Sequence, residues 1–511
     1  MITVSAASMR ELDQRTIAAG TPGLELMERA GNGAVAVIRE LHPRPCPIAI
    51  LAGKGNNGGD GFVVGRVLAQ AGYAVSIILL CDPSSLTGDA LQTYQRLDST
   101  LVHQVSSENA VHGVQGILHN AHLIVDALLG TGLQAPVTGL YRDVIDLLST
   151  IPPERILSLD IPSGVNATSG AIHGCAVRAG TTVTFGLPKS GLFWYPGATY
   201  AGTVISVPIG IPEHYQRQVP HVVFMDQATI APLLRPRPID SHKGTFGHLL
   251  LVAGSIGKSG AAALAAGAAV RGGAGLVTAA VPRAIHQVME VKTTEAMTVP
   301  LPGDDFLTES ALPQIQQLCQ SKSALAIGPG IGLDPETSRL VRDIITTIPL
   351  PMVLDADAIS ALSGLSCQGV VNTAAPLVIT PHPGELSRLM GTAIPHDDAG
   401  RYDCACTTAQ KLGVTVVLKG AHTVIASPDG RAAVNLSGNQ GMASGGMGDL
   451  LTGLLGALLA QGYQPFDAAC IAVYVHGAAA DQVAIQQGMW GMAASDLLSR
   501  IPTVFQNLTT Y

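Results

Sequence analysis

Short β-branched runs that recur between helix-length segments constrain this chain more than any other feature. The runs "PIAILAG", "AVSIILL", "LIVDALLG", "RILSLDIPSG", "TTVTFGL" and "GTVISVPIG" all precede Pro212. Continuous apolar strands separated by helices predict a parallel sheet covered on both faces. A polar, Pro-rich segment from Pro212 to His242, containing "LLRPRPID", interrupts the pattern. It then resumes with "HLLLVAGS", "AGLVTAAVP", "ALAIGPGIG", "PMVLDADAIS", "PLVITPHPGE" and "VTVVLKGAHTVIASPDGRAAVN". The last of these predicts strands joined by a turn at Pro428, Asp429 and Gly430. No repeat relates the two halves. The expectation is two α/β domains, residues 1–218 and 219–511, and a length of 511 residues is too great for one ordinary core.

Composition narrows the class of partner. With 47% hydrophobic and 13% charged residues the chain is globular, and 4% aromatics amid abundant Ala and Gly favour closely packed helices on parallel strands. A net charge of -8 leaves no basic surplus to neutralise phosphates, which argues against a general nucleic-acid binder. A small anion remains open, because backbone amides hold one without Lys or Arg. Cysteines 46, 81, 175, 319, 367, 404, 406 and 470 are scattered, with no CxxC pair. They predict reduced thiols in a cytoplasmic protein, while the Cys404, Cys406 spacing leaves a metal reading open beside a helix position. The N-terminus carries charge too early for a signal peptide. The stretch "SGAAALAAGAAVRGGAGLVTAAV" is broken by Arg271, so no membrane association is expected.

Chemistry gathers first at "GKGNNGGDG", Gly53 to Gly61, between an apolar run and the helix expected over "FVVGRVLAQAG". Gly53, Gly55 and Gly58 satisfy GxGxxG, and Asp82 closes the next strand where a ribose-binding acid belongs; that is a dehydrogenase reading. Asn56, Asn57 and Asp60 crowd the same turn with polar groups that need partners, which a monovalent cation or a substrate hydroxyl would supply. Two more strand ends point to the same sheet edge: Asp126 with Gly130, Thr131 and Gly132, and Asp160 with Ser163. Helix or turn capping is the plainer role for either acid.

In order, "MRELD", "LMERAG", "GNNGGDG", "VDALLGTGL" and "DIPSGV" resemble the epimerase domain of NAD(P)H-hydrate repair proteins over most of residues 1–215. The resemblance implies a Rossmann-like three-layer α/β/α fold and a potassium ion held by Asn57, Asp126 and Ser163, hard oxygen ligands of the kind an alkali cation takes. It implies substrate contacts at Asn56, Asn57, Gly58, Gly59 and Asp60, at Gly130, Thr131, Gly132, Leu133, Gln134, Ala135 and Pro136, and at Asp160. The implied reaction equilibrates the R and S hydrates of NADH and NADPH at C6 of the ring. Inversion there needs a proton donor or acceptor, and Asp160 is the candidate.

In the second half, "GNQGMASGGMGDLLTGLLGALLAQ" opens a glycine-rich turn, Gly445, Gly446, Met447 and Gly448, onto an apolar helix beginning at about Asp449. Free amides at such a helix mouth form an anion hole for a transferring phosphoryl group. Asp449 either caps that helix or works beside the hole. The loop "GSIGKSG" is no Walker motif, because Val252 stands where its first glycine would be needed. His382 is open to three readings: substrate contact, metal ligand without a second ligand at useful spacing, or structural hydrogen bond. Lys419 is either a solvated strand-end lysine or a phosphate contact.

"NQGMASGGMGD", "ITPHPGE", "AIGPGIG", "VLDADAI" and "VLKGAHTVIA" resemble the ADP- or ATP-dependent NAD(P)H-hydrate dehydratases, a branch of the ribokinase-like α/β fold, over roughly residues 225–505. The resemblance implies that Asp449 takes the hydrate's hydroxyl proton and that Gly448 lies against the nucleotide. It also implies that Lys419, Gly420, Ala421, His422 and Thr423 contact adenine nucleotide, while Ala261, Gly330 and His382 line the hydrate pocket. ADP or ATP as co-substrate, magnesium with its phosphates, and a homo-oligomer follow from the same likeness. Three rivals stay open: a small-metabolite kinase, a dehydrogenase, and a first half that binds without catalysing.

Overall fold

The apolar runs of the first half assemble, in the computed structural model, into a seven-stranded parallel sheet. Its order is Val102–Gln104, Ala74–Leu79, Pro47–Ala52, Leu123–Ala127, Ile156–Leu159, Thr181–Phe185 and Thr203–Val207. Six of the seven strands coincide with the runs read from sequence; the edge strand Val102–Gln104, half-buried to exposed, has no apolar run to betray it. The structure describes residues 1–105, 108–363 and 375–509, so Cys367 lies outside the described residues. Two compact units divide the chain: residues 2–222, and residues 223–511 together with Met1.

Strand order reverses between Pro47–Ala52 and Leu123–Ala127, and in open α/β sheets ligands bind at the carboxyl ends beside such a reversal. Helix Asn56–Gln70 starts well before "FVVG", directly at the first Asn. Its glycines admit close neighbours: a Cβ on Gly61 would lie 2.8 Å from Ala127 Cβ, and one on Gly65 would lie 2.7 Å from Ile77 Cδ1. The Gly-rich sequence that looks like loop is therefore a helix pressed onto its sheet.

The second unit carries another mainly parallel sheet. Outward from His248–Val252, one side holds Leu276–Pro282 and Met297–Leu301; the other holds Ala324–Ile327, Met352–Leu354, Leu377–Ile379 and Thr415–Leu418. Val424–Ala426 and Ala432–Asn435 then continue antiparallel as the expected hairpin, and residues 223–225 pair parallel with the last of them. Sequence reading missed Met297–Leu301, whose Pro300 argues against a central strand but is tolerated here at the edge. It also assigned residues 223–225 to a polar connector.

Helix Met447–Ala460, buried along nearly its whole length, packs between the sheet and helix Ser259–Arg271. A Cβ on Gly453 would stand 1.9 Å from Ala265 O, so the two helices touch backbone to backbone. Helix Pro465–Gln487 is long and apolar enough to cross a membrane, but 67% of its apolar window is buried inside the unit as core. Cys404 and Cys406 lie on helix Asp398–Leu412, and no metal-type cluster surrounds them among the described residues.

Gly453→Val should therefore destabilise the second unit by about 3 kcal/mol through overpacking. Gly260→Ala, whose Cβ meets nothing within 4 Å, should be neutral or stabilising. Denaturant midpoints of both variants check this contrast.

Candidate active sites

At the reversal of the first sheet the turn is held by its own backbone. A Cβ on Gly58 would lie 2.0 Å from Gly53 O, and one on Gly53 2.1 Å from Leu128 O, whereas Gly55 faces open space. Asn57 Nδ2 donates to Leu129 O at 3.1 Å, and its buried Oδ1 has no hydrogen-bond partner among the described residues. Asp126 is fully buried and accepts from Ser158 Oγ at 2.8 Å, Ser163 N at 2.9 Å and Ser163 Oγ at 2.6 Å. Burial raises its pKa against the pull of these bonds, and no cationic side chain joins them. Ser163 Oγ in turn accepts from Leu129 N at 2.8 Å. Asn57, Asp126 and Ser163 thus converge on one turn, leaving a buried carboxylate and an orphaned amide oxygen without positive charge.

Beside this turn lies a cavity of about 710 Å³, bordered by Asn56, Asn57, Asp60, Asp160 and the whole stretch from Gly130 to Ala135. Gly58 and Gly59 do not border it: the first packs on Gly53 and the second on Met27, and Pro136 also stands outside. Asp82 leaves the ribose role as well, because it accepts from Ser84 N at 2.8 Å to cap the turn Pro83–Ser85. Asp160 adopts φ +64°, a left-handed conformation rare for a non-glycine residue and typical of functional strain. Its carboxylate is paired with Lys189 Nζ, a lysine only 1% exposed that also donates to Phe185 O at 2.8 Å. Lys189 and Asp13, both on the cavity wall, were not singled out from sequence. A lone Lys in "GLPKSG" after an apolar strand was the available signal.

In the second unit, helix Met447–Ala460 opens at Gly446, φ +92°, two residues earlier than expected. Asp449 sits in the first turn and its carboxylate makes no hydrogen bond with the described residues, so it does not cap the helix. Burial, then repulsion from Asp355, push its pKa up to about 6 against Lys419. Lys419 Nζ lies 2.7 Å from Asp355 Oδ1 and 3.9 Å from Glu385 Oε2. Burial opposes its charge, but Asp355 and Glu385 outweigh it and the net shift is upward. Asp355 also accepts from Thr380 Oγ1 and Thr452 Oγ1, each at 2.7 Å. A Cβ on Gly448 would meet Lys419 Nζ at 3.5 Å and Asp355 Oδ2 at 3.6 Å, which joins the helix mouth to this cluster.

Ala261 and Gly330 are neighbours: a Cβ on Gly330 would stand 3.2 Å from Ala261 Cβ. His382 uses Nδ1 to accept from Gly384 N at 3.0 Å and Glu385 N at 3.3 Å, the structural bond among its three readings, while half its side chain stays exposed. In the 419–423 turn the His422 ring faces inward, Nδ1 to Asp398 Oδ2 at 2.8 Å, and Gly420 leaves room for the Arg401 guanidinium. Among the described residues one group of metal-type ligands gathers, His42, Cys46 and His122, none of which borders the first unit's cavity.

Comparison with known proteins now decides the class. The family model described as NAD(P)H-hydrate dehydratase matches residues 249–503, and that of the YjeF-related protein N-terminus matches residues 23–191. The bifunctional NAD(P)H-hydrate repair enzyme of Moorella thermoacetica is 39% identical over 99% of this chain and 97% of that protein. Its counterpart in Escherichia coli K12 is 35% identical over 94% of this chain and 89% of that protein. A crystal structure of the ADP/ATP-dependent NAD(P)H-hydrate dehydratase from Bacillus subtilis, with ATP/Mg2+, is 31% identical over 56% of this chain and 99% of that chain, TM-score 0.49.

The chain belongs to the bifunctional NAD(P)H-hydrate repair enzymes. Its first unit is the epimerase domain of that family and its second the NAD(P)H-hydrate dehydratase domain. The dehydrogenase and small-metabolite kinase readings fall away with this membership. As a repair enzyme it relies in its second unit on Asp355, quoted within "VLDADAI" yet given no role from sequence, because a buried acid at a strand end looks like any other. Lys419→Met should leave that carboxylate unpaired and cost about 3 kcal/mol or more. Asp355→Asn on top of it should recover part of the loss, read from denaturant unfolding.

Proposed function

We propose that Asp449 is the base of the dehydratase half. The supporting observation is a carboxylate poised near neutrality at a helix mouth, beside Lys419 and unbound to its own backbone. Asp449 takes the proton from the C6 hydroxyl of the S hydrate, and that oxygen attacks the terminal phosphorus of ADP or ATP, whose bridging P–O bond breaks to release AMP or ADP. The amides at Gly445, Gly446, Met447 and Gly448 receive the charge on the transferring group. The phosphate ester then leaves C6, a proton leaves C5, and the dihydronicotinamide double bond is restored. Hydroxide leaves poorly and phosphate well, which is why a nucleotide is consumed.

Magnesium enters this scheme only with the nucleotide phosphates. Both Asp355 oxygens are already engaged by Lys419, Thr380 and Thr452, so that carboxylate is no ready ligand. Potassium fits better: the orphaned Asn57 Oδ1, buried Asp126 and the Ser163 hydroxyl are the oxygen set it would take. It would supply the counter-charge Asp126 lacks and firm the turn at Leu129. In the epimerase half Asp160 serves the C6 proton traffic, so that the R hydrate is fed to the dehydratase as S. Cytoplasmic residence accords with free cysteines at 46, 81, 175, 319, 404, 406 and 470.

Asp449→Ala should abolish nucleotide-dependent recovery of reduced cofactor while hydrate exchange, followed by chromatography, stays near normal. In the parent enzyme the dehydration rate should rise with pH through about 6, because only the deprotonated Asp449 accepts. A stable phosphorylated product in place of inorganic phosphate would refute the elimination step. Potassium should raise the first unit's melting temperature relative to lithium, and Asn57→Leu should erase that difference.

A further inference from the structure

Three carboxyls, Asp13, Asp60 and Asp160, border the first unit's cavity together with the single buried ammonium of Lys189. They arrive on separate elements: Asp13 on helix Ala6–Ala18, Asp60 on helix Asn56–Gln70, Asp160 just after strand Ile156–Leu159. The ammonium is committed to Asp160, Phe185 O and Thr184 Oγ1. One buried cation does not neutralise three carboxyls gathered on one cavity, and burial raises both Asp13 and Asp60 toward the protonated form. Asp13 stands out, because its buried Oδ1 has no hydrogen-bond partner among the described residues.

We propose that Asp13 is a second proton-transfer residue of the epimerase, the acid to Asp160's base, with Lys189 as the positioning residue that keeps Asp160 an acceptor. This rests on the epimerase reading of the first unit. Inversion at C6 has two faces to serve. Asp13 gives its proton to the C6 hydroxyl, and the C6–O bond breaks with both electrons leaving on water. The N1 lone pair forms the C6=N1 double bond, and the ring becomes cationic between carboxyl groups. Water adds to the opposite face, the π electrons return to N1, and Asp160 takes the surplus proton. Atoms and charge balance, nothing is oxidised, and proton exchange with water returns Asp13 to its acid form and Asp160 to its base form before the next inversion.

Burial, tempered by Lys189 and reinforced by Asp160, pushes the Asp13 carboxyl up to about 6. An acid so placed both keeps and yields a proton near neutrality. Burial first, then Asp160, hold Asp60 well above the usual range, which makes it a standing donor and not an exchange partner. Arg10, Lys54, Asp60, Asp89, Asp160 and Lys189 are the charged groups that share the cavity with Asp13.

The test uses the full chain without nucleotide, following R to S exchange of purified hydrate by chromatography. Absence of exchange in the parent enzyme would sink the epimerase reading itself. Given exchange, Asp13→Asn should lower kcat about 100-fold with KM nearly unchanged. The parent's kcat should fall as pH rises past about 6, and this limb should be missing in Asp13→Asn. Asp13→Glu should recover a good part of the rate together with the limb, which a packing defect would not allow. Exchange in Asp13→Asn within about threefold of the parent, an effect on KM alone, or loss without recovery in Asp13→Glu would each overturn the assignment.

Discussion

The dehydratase half depends on one buried carboxylate. Asp355 draws together the strand end at Lys419, the strand end at Thr380 and the helix Met447–Ala460 at Thr452, each within 2.7 Å of an oxygen. Such a group is stable in the interior only when charge and hydrogen bonds surround it. The next residue, Ala356, takes φ +49°, and Asp357 beyond it accepts from Gly332 N and Lys258 Nζ. That left-handed step lets two acids two residues apart serve different partners. It also fixes the electrostatics at the helix mouth, because Asp355 is the neighbour whose charge most strongly opposes ionisation of Asp449.

The epimerase half reaches a similar solution without a shared repeat. Asp160, at a strand end and in the left-handed region, pairs with buried Lys189 as Asp355 pairs with Lys419. In each half a further carboxyl, Asp13 or Asp449, is left near the pair and pushed up to about 6. Parallel sheets explain the recurrence. Their carboxyl ends set the loops of neighbouring strands side by side, so one lysine can be buried against one acid while a second acid stands free.

Much of this was legible in the residues. The β-branched runs marked the strands, and the ordered motifs around Asn57, Asp126, Asp160 and Asp449 placed those residues at strand ends or at a helix mouth. What escaped has physical causes. Residues 102–104 and 297–301 are edge strands whose partly exposed sides carry no continuous apolar signature. The helix at Asn56 looked like loop because its glycines serve packing contacts that only the fold reveals. Lys189 and Asp355 were hidden because burial of a charge is a tertiary event: the same letters in another context are solvated surface.

The two free acids also carry a common cost. Each has a folded-state pKa above the unfolded value of 3.8, so the stability it contributes is full below that value and is lost as pH rises through about 6. The native state tolerates this because chemistry needs a proton that moves. On the roles proposed above, with Asp13 giving a proton and Asp449 taking one, the two halves would respond to pH in opposite senses across one window. Acid conditions would then favour exchange of the hydrates and alkaline conditions their dehydration, with the complete repair fastest where the two slopes cross.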